Sequence, residues 1–527
     1  MKNNIKYTQV TGFNNLKKYW KSDILSGFMV FLLALPLSLG VAKASGFPAS
    51  MGVLSAMIGG LITSFFKVSE LTIKGPAAGL ITICSGSIIA FGGGEQGWKI
   101  ASAAIIIMAL IQVVLGILRF GSLTEFLPSS VIHGMLAAIG IIIISKQIPV
   151  LLGDNPTMYS GESPIELLLD IPQFITHAHW HIAIVGLIGL LIMFGLPKIG
   201  LGIIKRIPTP MIVLLMAIPL SFYWHFKDTE PAYSLVEIGD FWGSLSFNFD
   251  FSHLSTIVFW KYVIMFLLVS SFESLLTVKA VDKFDPYQRE SDGNGDLVAV
   301  GIGNFLAGIL GALPMISEVV RSSANVEFGA KTKWSNFFHG AFLLAAMLLI
   351  IPVIELIPNA ALAAMLIFAG YRLASPKQFV HMYTIGKDQF IVFIITIIVT
   401  LAEDLLIGIV SGILIKLLIH LYNGSGWKAF FRARYKFTES LNSKVIHVQE
   451  SANFSNIVCY RKILNNIPND QQIFFDLRQA KIIDHSFMTF ITKFREDYNS
   501  KGGSFDIVGL ENHNSLSKNH LSTKKMR

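Results

Sequence analysis

Two cysteines in 527 residues, Cys84 and Cys459, are too few and too far apart for a disulfide framework or a thiolate metal centre, which sets redox and structural zinc chemistry aside. Charge is scarce as well. Asp, Glu, Lys and Arg make up 14% of the chain against 53% hydrophobic residues, and the mean hydropathy is +0.59. Soluble domains carry about 25% charged residues, so water is not the solvent for most of this surface. The net charge of +8 is not gathered into a basic patch interleaved with aromatics, which argues against a nucleic-acid partner. Phosphate loops, nucleophile triads and metal-ligand clusters are missing too, so an enzyme is not expected, nor a resident cofactor or metal. Nor is a cleavable leader expected, because 1–21 is polar and basic and the first apolar run leads straight into others.

What the sequence does have is apolar length. Runs of about 17 to 25 residues, each enough to cross about 30 Å of hydrocarbon, recur through the first four fifths of the chain. They must be helices, because a backbone facing lipid has to satisfy its own hydrogen bonds. Spans are predicted over 24–44, 50–66, 99–118, 127–145, 181–196, 210–224, 257–278, 297–310, 337–351, 358–371, 390–402 and 405–422. Two interrupted segments bring the total to fourteen. Lys17, Lys18 and Lys21 precede the first span, and Lys198, Lys205 and Arg206 lie between the sixth and seventh. Their bias puts both termini in the cytoplasm, with the acidic loops 146–179 and 225–255 outside. Lys428, Arg432, Arg434 and Lys436 then meet anionic lipid headgroups.

The interrupted segments carry the chemistry. In 71–79, Gly75 permits a sharp bend and Pro76 suits the first position of a helix, so a short extended piece feeds a helix N-terminus there. In 311–333, Pro314, Glu318, Arg321, Ser322, Ser323, Asn325 and Glu327 break an apolar stretch, and a half-helix that begins deep in the protein fits them. A buried helix N-terminus is an anion site, since its first amides are unpaired and its dipole end is positive. The plain alternatives are a surface turn and a water-exposed loop. One segment is third among the first seven spans and the other third among the second seven, a pattern that points to inverted repeats around a central site. In the eighth span Ser270, Glu273, Ser274 and Thr277 share one helical face. A charged side chain at a helix centre costs about 2.5 to 3.5 kcal/mol, so Glu273 should face a cavity or a partner. The alternative is a place at the membrane edge, since Lys279, Asp282 and Lys283 follow.

After 441 the composition becomes that of a soluble domain. Strands are predicted over 444–449, 472–477 and 505–508, with helices over 456–465 and 486–500, an alternation that implies a small α/β domain. Four parts result: a tail over 1–21, a membrane domain over 22–425, a soluble domain over 443–512 and a disordered polar tail over 513–527.

Taken together, 34–46, Gly75-Pro76-Ala77, Glu273-Ser274-Leu275-Leu276, Arg321-Ser322 and Gly329-Ala330-Lys331-Thr332 resemble the SulP family of inorganic anion permeases, which includes prestin and bacterial bicarbonate transporters. Residues 473–477, 483–486 and 507–510 resemble the cytoplasmic STAS domain of the same family. The resemblance implies a polytopic α-helical protein of seven-plus-seven inverted repeats, a core domain moving against a gate domain, a STAS domain and a homodimer in the plasma membrane. It also implies that a small inorganic anion sits between the facing N-termini of the third and tenth segments. Gly75, Pro76, Ala77, Val319, Val320, Arg321 and Ser322 are then the anion-binding residues. Two positions depart from the pattern. Val320 stands where serine is common, leaving backbone donors to do more, and Lys74 before Gly-Pro either strengthens the anion field or snorkels. In the STAS stretch, Asp484-His485-Ser486-Phe487 lacks the glycine that follows a phosphorylatable hydroxyl, so Ser486 reads as a structural residue rather than a regulatory switch.

Moving one negative charge inward against the membrane potential costs about 2.3 kcal/mol per 100 mV. Uptake of sulfate or bicarbonate therefore needs a co-transported cation, and Glu273, with Ser270 and Thr277, is the expected place for H+ or Na+. An anion exchanger or channel-like pathway on the same scaffold, a nucleobase permease, and a membrane-anchored scaffold acting through the soluble domain are the rival readings.

Overall fold

The computed structural model describes residues 13–527 except 67–68, 122–127, 155–158, 160–161, 200–206, 240, 244, 288, 290, 404, 431, 440–442, 469–470 and 501. The basic residues Lys2, Lys6, Lys205 and Arg206 lie outside that set. Apolar helices dominate up to residue 422. They are α1 (Phe13–Ala44), α2 (Ala49–Leu61), α3 (Ile81–Ala90), α4 (Gly94–Ile117), α5 (Ser129–Leu152), α6 (Trp180–Ile199), α7 (Thr209–Tyr223), α8 (Ile257–Phe284), α9 (Gly293–Ile309), α10 (Val319–Glu327), α11 (Trp334–Leu349), α12 (Asn359–Leu373), α13 (Lys387–Ala402) and α14 (Leu405–Tyr422). Among the described residues six helices are long and apolar enough to cross a bilayer unaided, and α2, α3, α7 and α11 are shorter apolar ones. The chain is an α-helical polytopic membrane protein with a small α/β domain at its C-terminal end.

Two compact units emerge, residues 1–121 with 139–372 and residues 122–138 with 373–527. At the centre of the first lie two four-residue strands, β1 (Ile73–Pro76) and β2 (Met315–Glu318), paired antiparallel with Lys74 opposite Ser317 and Pro76 opposite Met315. That sense is the one two halves of opposite orientation require. β1 runs through a 3-10 turn at Ala78–Leu80 into α3, and β2 runs directly into the nine-residue α10.

Gly75 and Pro76 depart from the sequence reading. Neither bends the chain or opens a helix: both belong to the strand, and Ala77 is still extended at φ −112°, ψ 147°. β2 supplies backbone partners that no local reading of 71–79 reveals, and proline is tolerated where a ladder ends. Asparagines hold the strands in place. Asn336 of α11 accepts the Lys74 amide at 3.1 Å and donates to the Gly59 carbonyl of α2 at 3.0 Å, while Asn325 of α10 donates to the Leu71 carbonyl at 2.9 Å. Asp23 of α1 accepts the amides of Lys331 and Thr332 at 2.8 and 3.1 Å, which explains the turn at 329–332.

In the second unit, the sheet is built on β5 (Gln472–Ile483), flanked in parallel by β4 (Ser443–Ala452) and β6 (Ser504–Val508), with β3 (Arg434–Glu439) antiparallel on β4. Two helices, α15 (Ile457–Asn465) and α16 (His485–Ser500), complete it, and Ile446, Tyr460, Phe475, Phe487 and Phe505 are buried in its core. Residues 513–527 correct the expectation of a disordered tail. They form β7 (His513–Ser515) and β8 (Lys524–Met526), and β8 pairs with the end of β5. The polar side chains find partners that composition does not display: Thr523 donates to Asp388 at 2.8 Å and Ser517 to the Ile385 carbonyl at 2.6 Å. Asp484 caps α16 by accepting the Phe487 amide at 2.7 Å and also takes the Phe454 amide at 2.9 Å, while the Ser486 hydroxyl accepts the Ser129 amide at 3.4 Å.

Candidate functional site

The paired strands bring charge to the middle of the first unit. Lys74, wholly buried, places its ammonium 2.8 Å from Asp296 of α9 and against the Thr72 hydroxyl. Asp296 in turn accepts the hydroxyls of Ser274 (α8) at 2.6 Å and Ser317 (β2) at 3.0 Å, and the Ser274 oxygen accepts the Ser317 amide at 3.1 Å. Lys74 therefore neither snorkels nor lends net charge to an anion. It closes a neutral network that ties both strands to α8 and α9, the arrangement a buried ion pair needs to offset its desolvation.

Arg321 is a second buried cation beside the strands. It sits in the first turn of α10 with 1% exposure and turns back toward β1, where Nη2 donates to the Pro76 carbonyl at 3.3 Å. Its Nε and Nη1 are buried without a hydrogen-bond partner. The guanidinium lies so close to Gly75 that a Cβ there would overlap Nη1, which is why glycine precedes Pro76. Pro76 and Arg321, far apart in sequence, are thus in direct contact. The tip of α10 is not bare, however. Glu318 caps it, its carboxylate accepting the Arg321 amide at 2.7 Å, so of the expected amide donors only those of Val319 and Val320 remain without an intrahelical partner.

Glu273 of α8 faces the other tip. Its carboxylate presses on Gly79 in the turn that opens α3, and Oε2 is buried with no hydrogen-bond partner. No side chain caps that turn, and Ala77 stands at its start. Gly79→Ala is expected to destabilise the protein by about 1–3 kcal/mol through overpacking. Thermal unfolding of the purified protein should show the loss, and adding Glu273→Ala, which removes the obstruction, should recover most of it. A loss that the second substitution leaves untouched would show that the clash lies elsewhere.

The other expected residues take scaffold positions. Ser270 receives Gln112 Nε2 at 3.2 Å and Asn304 Nδ2 at 3.5 Å, and points at the Met315 carbonyl of β2 rather than joining Glu273. Ser322 gives its one hydroxyl proton to the Glu318 carbonyl at 2.6 Å and accepts the Ile73 amide at 2.9 Å, which leaves it no donor for an anion. Thr277 is buried one turn beyond Glu273. Sequence reasoning missed Asp296, Ser317, Gly79 and Asn336. Asp296 had a local disguise, since an acid in the first turn of a helix reads as a favourable dipole contact.

A cavity of about 790 Å³ borders the C-terminal half of α3. Lys43 of α1, Ser85 and Gly86 of α3, Lys146 of α5 and Tyr262 of α8 line it, and Lys146 donates to the Ser85 hydroxyl at 2.8 Å.

Known proteins resemble this chain in sequence and fold. The model of the sulfate permease family matches residues 20–396. YvdB of Bacillus subtilis (strain 168), named as a candidate sulfate transporter, is 26% identical over 408 residues, covering 76% of this chain and 73% of its own. The bicarbonate transporter BicA of a Picosynechococcus strain is 22% identical over 405 residues, covering 75% of this chain and 69% of its own. Among solved structures, the murine Slc26a9 anion transporter in its inward-facing state superposes with a TM-score of 0.68 over 95% of this chain and 90% of that one. At 15% identity that likeness is one of fold, and it extends through the C-terminal sheet, which is compatible with a STAS domain.

Proposed function

The chain belongs to the sulfate permease family, and from that premise we propose that it carries sulfate or bicarbonate across the plasma membrane by alternating access, driven by co-transported H+ or Na+. Arg321 is the observation that carries this reading. A guanidinium buried to 1% exposure with two unpartnered nitrogens, set between two helix N-termini, is a costly arrangement unless an anion completes it. In the proposal the anion takes the Arg321 Nε and Nη1 donors, the amides that follow Pro76 at Ala77 and those of Val319 and Val320. The cavity lined by Lys43 and Lys146, with Asp154 and Glu162 also on its wall, is its approach. The protein acts as a homodimer with both termini cytoplasmic, and its soluble domain serves structure rather than a phospho-switch at Ser486.

Charge balance supports the coupling. Lys74 and Asp296 cancel, so the centre holds Arg321 against Glu273 and Glu318, and with both acids ionised an arriving anion meets net negative charge. A proton or Na+ at Glu273 removes that obstacle, and the buried Oε2 is the place for it. Glu273→Gln is expected to cut cation-driven uptake about tenfold or more while anion-for-anion exchange continues. The measurement is uptake of labelled sulfate and bicarbonate into liposomes, with and without Na+ and pH gradients. Uptake by the variant that matched wild type in rate, pH dependence and Na+ dependence would remove Glu273 from the coupling step, and flux that required a trans anion in wild type would make the protein an exchanger.

A further inference from the structure

We propose that the Glu318 carboxylate is a tethered stand-in for the transported anion, seated on the tip of α10 when the site is empty and displaced from it as the anion arrives. The inference rests on the anion-transport reading and adds to it a competitor built into the chain. A helix tip is capped as a rule by the short side chains of Ser, Thr, Asp or Asn. Here a glutamate does it, reaching round to the Arg321 amide at 2.7 Å, a donor that an incoming anion would otherwise take. The guanidinium on the same residue keeps Nε and Nη1 unpartnered and buried, so the seat is half filled by the protein and half open.

Of the two acids, only Glu318 has room to move. Glu273 is wedged against Gly79, whereas Glu318 is partly exposed and the neighbouring Val319 side chain is 37% exposed. The charged groups that act on Glu318 are Arg321 on its own helix and Glu273 from α8. Lys74 and Asp296 neutralise each other. Glu273 and an arriving anion both repel the Glu318 carboxylate, so the anion takes the tip as the carboxylate swings clear, and the cap re-forms when the anion leaves.

The test is binding of sulfate to the full-length protein in detergent at pH 8, followed by calorimetry. Glu318→Gln removes the charge, and Glu318→Ser keeps a short acceptor for the cap. Both should bind sulfate roughly tenfold more tightly than wild type, because no charged competitor holds the tip. Thermal unfolding of each variant establishes that it is folded. Folded Glu318→Gln and Glu318→Ser proteins that bind sulfate no more tightly than wild type would overturn the inference. So would weaker binding in both variants, which would make Glu318 a ligand rather than a rival. Absence of binding to wild type and variants, for sulfate and for bicarbonate at pH 8, would instead overturn the anion-transport reading beneath it.

Discussion

Asp296→Ala is expected to lower the unfolding free energy by about 3–5 kcal/mol, because it strands the wholly buried Lys74 ammonium with the Thr72 hydroxyl as its remaining neighbour. The loss reaches further than one ion pair. Ser274 and Ser317 both donate to Asp296, and each buried hydroxyl left without its acceptor adds about 1–3 kcal/mol at most. Since Ser317 belongs to β2 and Lys74 to β1, the same substitution loosens both strands, and transport should fall with stability. Thermal unfolding of the purified protein measures it. The double variant Lys74→Met with Asp296→Leu should recover part of the stability, since replacing a buried pair by apolar side chains is often neutral or better. A single variant as stable as wild type would mean that the pair does not hold the strands.

Arg321→Ala is expected to act in the opposite sense on the two measurements. Sulfate affinity should fall by about 2–5 kcal/mol, roughly thirtyfold at least, which is the usual effect of truncating one partner of a buried charged contact. Stability should stay level or rise, because the side chain is a buried cation with only the Pro76 carbonyl as a hydrogen-bond acceptor and two nitrogens unpartnered. Arg321→Lys should rescue little affinity. With one donor already directed at Pro76, the fork still presents Nε and Nη1, whereas an ammonium cannot span the same three directions from the same stem. A stability loss of several kcal/mol without a change in binding would assign Arg321 to the scaffold with Lys74.

Legibility in the sequence followed the range of the interaction. Apolar length located the apolar helices among α1 to α14 but not the short helices Pro164–Leu169, Ile171–Thr176, Phe226–Thr229, Ile351–Ile354 and Pro376–Ile385, and ends differed where polar turns continue a helix beyond its apolar stretch, as at Phe13 in α1 and Phe284 in α8. Glu273 and Arg321 stood out because a charge inside an apolar run is expensive, a penalty that needs no knowledge of the fold. Glu318 was visible as a charge but not as a cap, since glutamate is a poor cue for the start of a helix. Ser270 and Ser322 looked like ligands by position on a helix, yet their hydroxyl partners, Asn304 and the Ile73 amide, lie 34 and 249 residues away. The terminal residues looked disordered because polarity was all that could be read, and the strand that gives them hydrogen bonds is β5.

By itself the sequence determined the solvent of this protein, its helical class, the two places where a span is broken and the residues too charged to be idle in lipid, because each follows from composition and spacing along the chain. Only the tertiary structure decided which charges cancel and which remain. Lys74 finds Asp296 and loses its influence, Arg321 finds the Pro76 carbonyl and keeps two open donors, and Glu318 turns back onto its own helix tip. The first two outcomes depend on distances of a few ångströms between segments more than 200 residues apart, and electrostatic energy at such range in a dry interior is set by geometry that no local pattern encodes.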